Sequence, residues 1–318
     1  MLKYTVRRSL IAVVVLFIVS IVDFTFINLA PGDPLQAMLS PEAAGNVTNT
    51  QAQYEAAGLT GSIPVRYLRW VAKLVQGDFG MSFRTNKPVT AMIREVLPAT
   101  LLLTITAKII ALAVGVPLGV YAGLRERSFV DELSALFSYF FTAIPGFFLA
   151  IVAVFFFAVR LGWLPATGMQ SYDKAGDPVD LLKHLILPAL VLGLLSIPGY
   201  VRYTRTAVLD VLREDYIRTA RSKGLREGQI IRRHLLPNAL MPLVTIIGLS
   251  LPGLIGSSVL VEQVFAWPGM GQLSINSALF RDYSVFMGSA LLYAVAVLVS
   301  STITDLLYAV INPRIRLE

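Results

Sequence analysis

Residues 214–225 read EDYIRTARSKGL, a polar stretch set between apolar segments long enough to cross a bilayer. Arg218 and Arg221 lie three apart and Lys223 follows, beside apolar Tyr216, Ile217, Ala220 and Leu225. Gly224 supplies the left-handed residue that stops a helix. A second basic stretch, EGQIIRRHLLPNALMP at 227–242, leads back into apolar sequence. A connector between two spans needs only a few residues. The segment 202–241 is therefore expected to be a helix–turn–helix outside the membrane, its first helix continuing from the preceding span through 210–223. Such a surface fits a partner with an apolar cleft and an acidic rim. The length and regular pattern weigh against a loop that serves topology alone.

Composition makes lipid the solvent. Of 318 residues, 55% are hydrophobic and 15% charged, with mean hydropathy +0.68; soluble domains carry about a quarter charged residues. The chain has no cysteine, hence no disulfide and no thiolate chemistry. His184 and His234 are too far apart in sequence for a short metal motif. Six stretches reach the roughly 20 apolar residues that a span requires: 9–29, 99–124, 134–159, 185–203, 243–261 and 285–308. The fourth is interrupted by Pro188, Pro198 and Gly199. The first follows Lys3, Arg7 and Arg8 like a signal peptide, but its apolar run is longer than a signal core and no small-x-small pattern precedes PGDP. It reads as a retained helix.

Orientation follows from the basic residues. With the N-terminus inside, 16 Lys and Arg fall on cytoplasmic segments and 10 outside, six of those on one long loop that counts for little. Both termini are expected to be cytoplasmic. The net charge of +7 is then topological, which removes the main support for a nucleic-acid partner. The chain divides into a short N-terminus with the first span (1–29), an extracytoplasmic loop (30–98), a five-helix core (99–308) containing the 202–241 loop, and a cytoplasmic tail (309–318). The outer loop opens on the turn signal APGDP and contains a sequon at Asn46 of a kind that arises by chance. Within it, PVRYLRWVAKLVQGDFG places Arg66, Arg69 and Lys73 on one side of an amphipathic helix, suited to the outer membrane face or to packing against the spans.

Charges inside spans call for an explanation. Asp23 and Lys108 reach similar depths in spans of opposite direction, at about 1.5 Å per residue. An ion pair between the first and second spans is one reading; Lys108 facing a cavity or snorkelling outward are the others. Asp305, near the inner end of the last span, is placed to pair with Arg202 or Arg205. Pro145-Gly146, Pro198-Gly199 and Pro252-Gly253 are either hinges with cavity-facing backbone or packing kinks.

The segment RTARSKGLREGQIIRRHLLP resembles the cytoplasmic loop of ABC importer permeases. In that family the pattern is Glu-Ala-Ala, three residues, Gly, nine residues, Ile-x-Leu-Pro. Setting Gly224 on the family glycine puts Ala220, Leu236 and Pro237 on family positions, while Arg218, Thr219 and His234 depart. DYIRTARSKGL is similar to the variant in the dipeptide/oligopeptide subfamily. LAPGDP, GDFGMSFRTNKPV, HLILPAL, VEQVFAWPGMGQL and DLLYAVINPRIR agree in order and spacing across nearly the whole chain. The resemblance implies an all-α membrane protein of six transmembrane helices with the type I ABC importer permease fold, in a prokaryotic plasma or inner membrane. It implies a second homologous permease, two cytosolic ATPase subunits and an extracytoplasmic solute-binding protein as partners. In the family the loop helix docks on the ATPase, which assigns that contact here to Tyr216, Arg218, Thr219, Ala220, Arg221, Gly224 and Leu225, with Pro237 setting the second helix. The implied cargo is a di- or oligopeptide, with nickel complexes, glutathione or oligosaccharides as alternatives.

The chain has no Gly-x-x-x-x-Gly-Lys-Ser/Thr loop, so ATP and magnesium are expected on the partner ATPases, with no cofactor on this chain. A secondary transporter is the rival within transport, but no internal repeat is visible and one mid-span carboxylate is a thin relay. A membrane enzyme would need a motif such as His-Glu-x-x-His or Gly-x-Ser-x-Gly, and neither is present.

Overall fold

The structure is a computed structural model that describes residues 2–29, 60–251, 253–256 and 258–311. The turn at 30–34, the sequon at Asn46 and the tail motif from 312 onward lie outside the described residues, as does the side chain of Asp305.

The described residues are mostly helical, and one isolated bridge joins Met81 and Pro88. In chain order the helices are α1 (Leu2–Leu29), α2 (Ile63–Val75), α3 (Val89–Leu124), α4 (Phe129–Ala143), α5 (Gly146–Ala153), α6 (Pro178–Leu212), α7 (Asp215–Ser222), α8 (Glu227–Ile230), α9 (Leu236–Ser250), α10 (Gly253–Gly256), α11 (Val259–Val264), α12 (Met270–Leu279) and α13 (Tyr283–Ile311). A π-helical turn, Val154–Arg160, extends α5, and another, Ile231–Leu235, joins α8 to α9. Among the described residues four helical segments are long and apolar enough to cross a membrane: Leu10–Leu29, Val89–Leu124, Pro178–Leu212 and Tyr283–Thr304. Two bent pairs raise the number to six if each pair is one span: Phe129–Ala143 with Gly146–Arg160, and Glu227–Ser250 with Gly253–Val264.

The prolines behave differently from one another. Pro145 breaks the third apolar stretch, and the two halves bend by 99°. The cause is local: Ile144, ahead of the proline, is extended at φ −80° and ψ 127°, because the proline ring disfavours helical geometry in the residue before it. Pro188 and Pro198 instead lie inside one uninterrupted 35-residue helix, α6. The interruption expected at Pro198-Gly199 is absent, since both prolines are buried among neighbouring helices that hold the helix against the loss of a hydrogen bond. Asp177 starts α6 by accepting from the Val179 N–H at 2.9 Å, and Pro178 fills the first position, where a missing N–H costs nothing.

The described residues fall into two compact units, with boundaries at 98/99, 268/269 and 299/300. In the unit built from 99–268 and 300–316, α3 and α6 pack through glycines. Gly115, Gly119 and Gly123 recur every four residues on α3. A Cβ added to Gly119 would lie 2.6 Å from the Val201 carbonyl oxygen, and one on Gly123 would lie 2.7 Å from Val208 Cγ1. Small residues at this spacing let helix backbones approach closely in lipid.

Buried polar groups fix the ends of these helices. Arg205 on α6 grips Asp131 on α4 with two nitrogens, Nη2 at 2.7 Å, and the Arg127 N–H donates to the same carboxylate. Arg205 therefore has a partner in Asp131. A cavity of about 420 Å³ opens beside the pair, lined by Glu132, Tyr139 and Arg202 among others. Asp131→Ala would leave the guanidinium without its bidentate acceptor. The expected loss is about 2–3 kcal/mol, below the range for a wholly buried pair, since Arg205 keeps 31% of its side chain exposed. Thermal melting of the solubilised protein checks this, and D131R/R205D should recover part of the loss. In the same unit Trp267, fully buried, donates Nε1–H to the Ala99 carbonyl at 2.9 Å. Glu262, also fully buried, accepts from Thr100 at 2.8 Å and Ser258 at 2.7 Å. The stretch VEQVFAWPGMGQL thus ties the start of α3 to α11.

In the unit built from 1–98 and 269–299, α2 lies against α1. Tyr67 packs edge-on against Phe24 at 5.4 Å between ring centres, and its hydroxyl hydrogen-bonds Ser20 at 2.8 Å. The stretch GDFGMSFRTNKPV is anchored by buried Asp282, which accepts from the Ser82 hydroxyl and the Phe83 N–H. A Cβ on Gly288 would meet Val89 Cγ1 at 2.6 Å, so this glycine admits the start of α3 to α13.

Candidate functional site

The polar segment after α6 does not continue that helix, contrary to the expectation for 210–223. The helix α6 stops at Leu212, Glu214 is extended at φ −70° and ψ 143°, and α7 begins afresh at Asp215.

Its end has the expected form. Gly224 takes φ +75°, which L side chains rarely adopt. The Gly224 N–H bonds the Arg221 carbonyl at 2.9 Å and the Leu225 N–H bonds the Ala220 carbonyl at 3.3 Å. These are the two bonds of a Schellman cap, which satisfies carbonyls that a helix end leaves bare. A side chain at Gly224 would meet open space in this chain; its conformation, not a close approach within the fold, requires glycine.

The faces of α7 divide sharply. Ile217 is fully buried and Ala220 is 6% exposed. Both sit in an apolar cluster with Val208, Ile230, Leu235 and Ala239, against which Val120 and Leu124 of α3 and Val211 and Leu212 of α6 pack. Reading Ile217 and Ala220 as part of a partner-facing surface is corrected here: three residues apart on one helix, they share the inward face and seat α7 on the ends of α3 and α6. Tyr216, Arg218, Thr219, Arg221 and Leu225 point outward and are exposed. Partial desolvation on its inner edge, and secondarily the charge of Glu214, pushes the Tyr216 phenol upward.

The basic residues have partners within the loop. The Arg221 Nε–H donates to Glu227 at 2.8 Å across the turn, and Arg218 lies 3.5 Å from Asp215. Both pairs are exposed and hold weakly, so an incoming acidic group can displace them. Seven basic side chains (Arg213, Arg218, Arg221, Lys223, Arg226, Arg232 and Arg233) face three carboxylates (Glu214, Asp215 and Glu227) between 213 and 233. Pro237 is exposed in the first turn of α9. It has no N–H to give the residue 233 carbonyl, and the π-turn Ile231–Leu235 takes up the mismatch just before it.

The intramembrane charges lie elsewhere. The Lys108 ammonium stands over the Tyr200 ring, 5.6 Å from its centre, within cation–π range. Asp23 is half-buried on α1. Among the described residues no group of three His, Asp or Glu side chains converges as a metal would need.

The chain that carries this helix matches a known family. The family model described as binding-protein-dependent transport system inner membrane component covers residues 115–317, and the model of its N-terminal part covers 1–104. The chain belongs to that family. The oligopeptide transport system permease protein AppB of Bacillus subtilis is 41% identical to this inner membrane component over 316 residues, covering 99% of both chains. A putative peptide permease protein of Brucella suis is 40% identical over 321 residues, and the glutathione transport system permease protein GsiC of Escherichia coli is 37% identical over 316, each covering 99% of both chains. The inward-facing MetNI methionine ABC transporter matches with TM-score 0.55 at 20% identity, covering 70% of this chain and 97% of that one. An amino acid ABC transporter crystallised with histidines matches with TM-score 0.52 at 17% identity, covering 69% and 93%. These two share the fold.

Sequence reasoning missed Asp131, Glu262 and Asp282. Each meets a partner 74 or more residues away along the chain, and no local pattern marks such long-range pairs.

Proposed function

We propose that this chain is the permease subunit of an ATP-driven, binding-protein-dependent importer of di- or oligopeptides, and that α7 is the element on which a cytosolic ATPase acts. The observation that carries the reading is the division of α7. Its inner face is locked to the ends of α3 and α6, while Tyr216, Thr219 and Leu225 face outward. A push on the outer face cannot be absorbed by α7 alone, because close-packed interiors transmit strain. It passes to α6, a single helix of 35 residues, about 52 Å long at 1.5 Å per residue.

In this reading each bent pair is one span, the chain crosses six times in the type I importer arrangement, and both termini are cytoplasmic. The loop 30–98 then lies outside, where a solute-binding protein delivers cargo. A second homologous permease completes the pathway, and two ATPase subunits bind ATP and magnesium inside. Their closure draws the α7 helices of the two permeases together and opens the outer side to cargo. Arg218 and Arg221 exchange their loop carboxylates for acidic groups on the ATPase rim.

Peptide cargo is favoured by the two peptide permeases among the relatives; glutathione, itself a tripeptide, follows from the third. Nickel complexes or oligosaccharides would need only a different binding protein, where selectivity resides. A mild-detergent pull-down of the tagged chain from its own host tests the assignment. A second permease, ATPases and a liganded binding protein are expected, and the ligand identifies the cargo. Recovery of the chain alone, with transport driven by a proton gradient, would replace the reading with secondary transport.

A further inference from the structure

Two neighbouring helices change character at one level. The helix α4 carries Asp131 and Glu132 in its first turn, and no Asp, Glu, Lys or Arg follows through residue 159. On α6 none occurs from 184 to 201, after which Arg202 and Arg205 appear. The grip of Arg205 on Asp131 holds the two changes side by side. A shared step from charged to apolar marks the boundary between headgroups and acyl chains.

The cavity of about 420 Å³ beside that pair opens at this level, and its size is that of a small-molecule site. Its floor includes buried Asp131, Ser134 and Ser138, and its rim includes exposed Arg127, Glu132, Tyr139 and Arg202. The polar groups of the floor are engaged. Asp131 accepts from two nitrogens of Arg205 and from the Arg127 N–H. The hydroxyls of Ser134 and Ser138 donate to the Asp131 and Ser134 carbonyls at 2.8 and 2.7 Å. Charges just outside the rim are engaged as well: Glu126 lies 3.8 Å from Arg213, and the Arg125 guanidinium stands 5.0 Å from the centre of the Tyr121 ring. Among the described residues the side chains of Arg127, Glu132 and Arg202 make no hydrogen bond or ion pair.

With Asp131 neutralised by Arg205, the rim offers two guanidinium groups and one carboxylate to an occupant. That set fits an anionic group with a cationic N–H donor attached to it. Phosphoglycerol brings no cation for Glu132, and phosphocholine brings a cation without an N–H; phosphoethanolamine brings both. Leu136 and Phe140, four and eight residues beyond Glu132 on the same face of α4, are exposed and lead from the rim toward the bilayer centre. A water-soluble zwitterion would leave that apolar track bare. Tyr139 is of the residue type that favours this depth.

We propose that this cavity holds the headgroup of phosphatidylethanolamine, with its phosphate on Arg127 and Arg202, its ammonium on Glu132 and its acyl chains along Leu136 and Phe140. Basic pockets between membrane helices bind lipid headgroups. The lipid bridges α4 to α6 one turn before Val208, on which α7 is seated. The site follows from the fold and the charge boundary, and it stands whichever side of the membrane α7 faces.

The test uses the assembled transporter in nanodiscs of equal parts phosphatidylethanolamine, phosphatidylcholine and phosphatidylglycerol, with retained lipid counted by native mass spectrometry after extraction into detergent. The wild type is expected to retain phosphatidylethanolamine over both others. E132Q should lose the preference over phosphatidylcholine about tenfold, because the ammonium loses a charged acceptor. R127Q/R202Q should lower retention of all three about tenfold, and R127K/R202K should restore it. Equal retention of phosphatidylethanolamine and phosphatidylcholine by the wild type, or an unchanged preference in E132Q, overturns the site. A wild-type preference for phosphatidylglycerol overturns it in favour of an anionic lipid. Excess dialanine, a soluble zwitterion, should displace nothing; displacement of the lipid gives the cavity to a soluble ligand instead. Should a variant fail to assemble, the phosphatidylethanolamine fraction is titrated on the wild type, and the absence of saturable retention overturns the site equally. Retention as expected in a chain that recovers no ATPase would remove the importer reading and leave the lipid site.

Discussion

Gly119→Leu is expected to leave almost no folded permease in the membrane. The Cβ alone would sit 2.6 Å from the Val201 carbonyl oxygen and 2.7 Å from Thr204 Cβ. A carbonyl inside α6 cannot turn aside as a flexible side chain would, so α3 and α6 must separate. That separation also strips the contacts of Gly115 and Gly123, which a Cβ would bring to 2.8 Å from Tyr200 Cβ and 2.7 Å from Val208 Cγ1. The loss should exceed about 3 kcal/mol, the upper end of ordinary overpacking costs. Gly119→Ala should already be damaging, although alanine is the better helix former by about 1 kcal/mol. Gly199→Ala is the contrast: that glycine is also helical, but a Cβ there has nothing within 4 Å, and the substitution should be neutral or slightly stabilising. Membrane abundance and the melting temperature of the solubilised protein distinguish the three.

The second large effect concerns function without folding. Y216D/L225D should reach the membrane at wild-type levels yet lose ATPase co-purification and transport. Tyr216 is 42% and Leu225 38% exposed, so the fold does not depend on burying them. Placing carboxylates on that face reverses the sign a partner with an acidic rim requires. Two centrally placed contact residues of at least about 2 kcal/mol each correspond to a loss of several-hundred-fold or more in association. The Tyr216 phenol, raised by partial desolvation and secondarily by Glu214, is neutral at physiological pH with or without that shift. The wild-type association should be insensitive to pH across the physiological range as far as Tyr216 is concerned. Ile217→Ala would act from the other side. It empties a fully buried position in the cluster beneath α7 and should cost about 2–4 kcal/mol locally. Coupling would then weaken through a loosened α7 with its outward face intact. ATPase binding and ATP-driven transport measured together separate the two kinds of variant.

The parts of this fold that were legible in the sequence are those with local causes. Apolar length marks the membrane segments, and Gly224 marks the end of α7 because few residues other than glycine accept φ +75° at no cost. Where tertiary context decides, identical signals diverge. Pro145 bends its stretch by 99° while Pro198 sits inside a continuous helix, and nothing in the flanking residues separates them. Ile217 and Ala220 are apolar on a polar helix, which fits an external cleft as well as an internal seat. Only the placement of Val120, Leu124 and Val208 beneath them assigns them inward. The grip of Arg205 on Asp131 spans 74 positions, and a charge census can orient the chain without finding that pair. The glycines of α3 stood in the sequence at four-residue spacing, a pattern readable as close helix approach.

The most direct measurement of the central claim uses the absence of cysteine from this chain. Thr219→Cys places a single thiol on the exposed face of α7 and carries a benzophenone-maleimide. Irradiation in membranes containing the assembled importer should join the permease to an ATPase subunit, with a yield that changes on adding ATP. The same probe at Trp163→Cys, outside α7, should give no such product. A transporting complex in which the Thr219→Cys probe never captures the ATPase, while a probe on another segment does, would contradict the assignment of α7 as the element on which the ATPase acts.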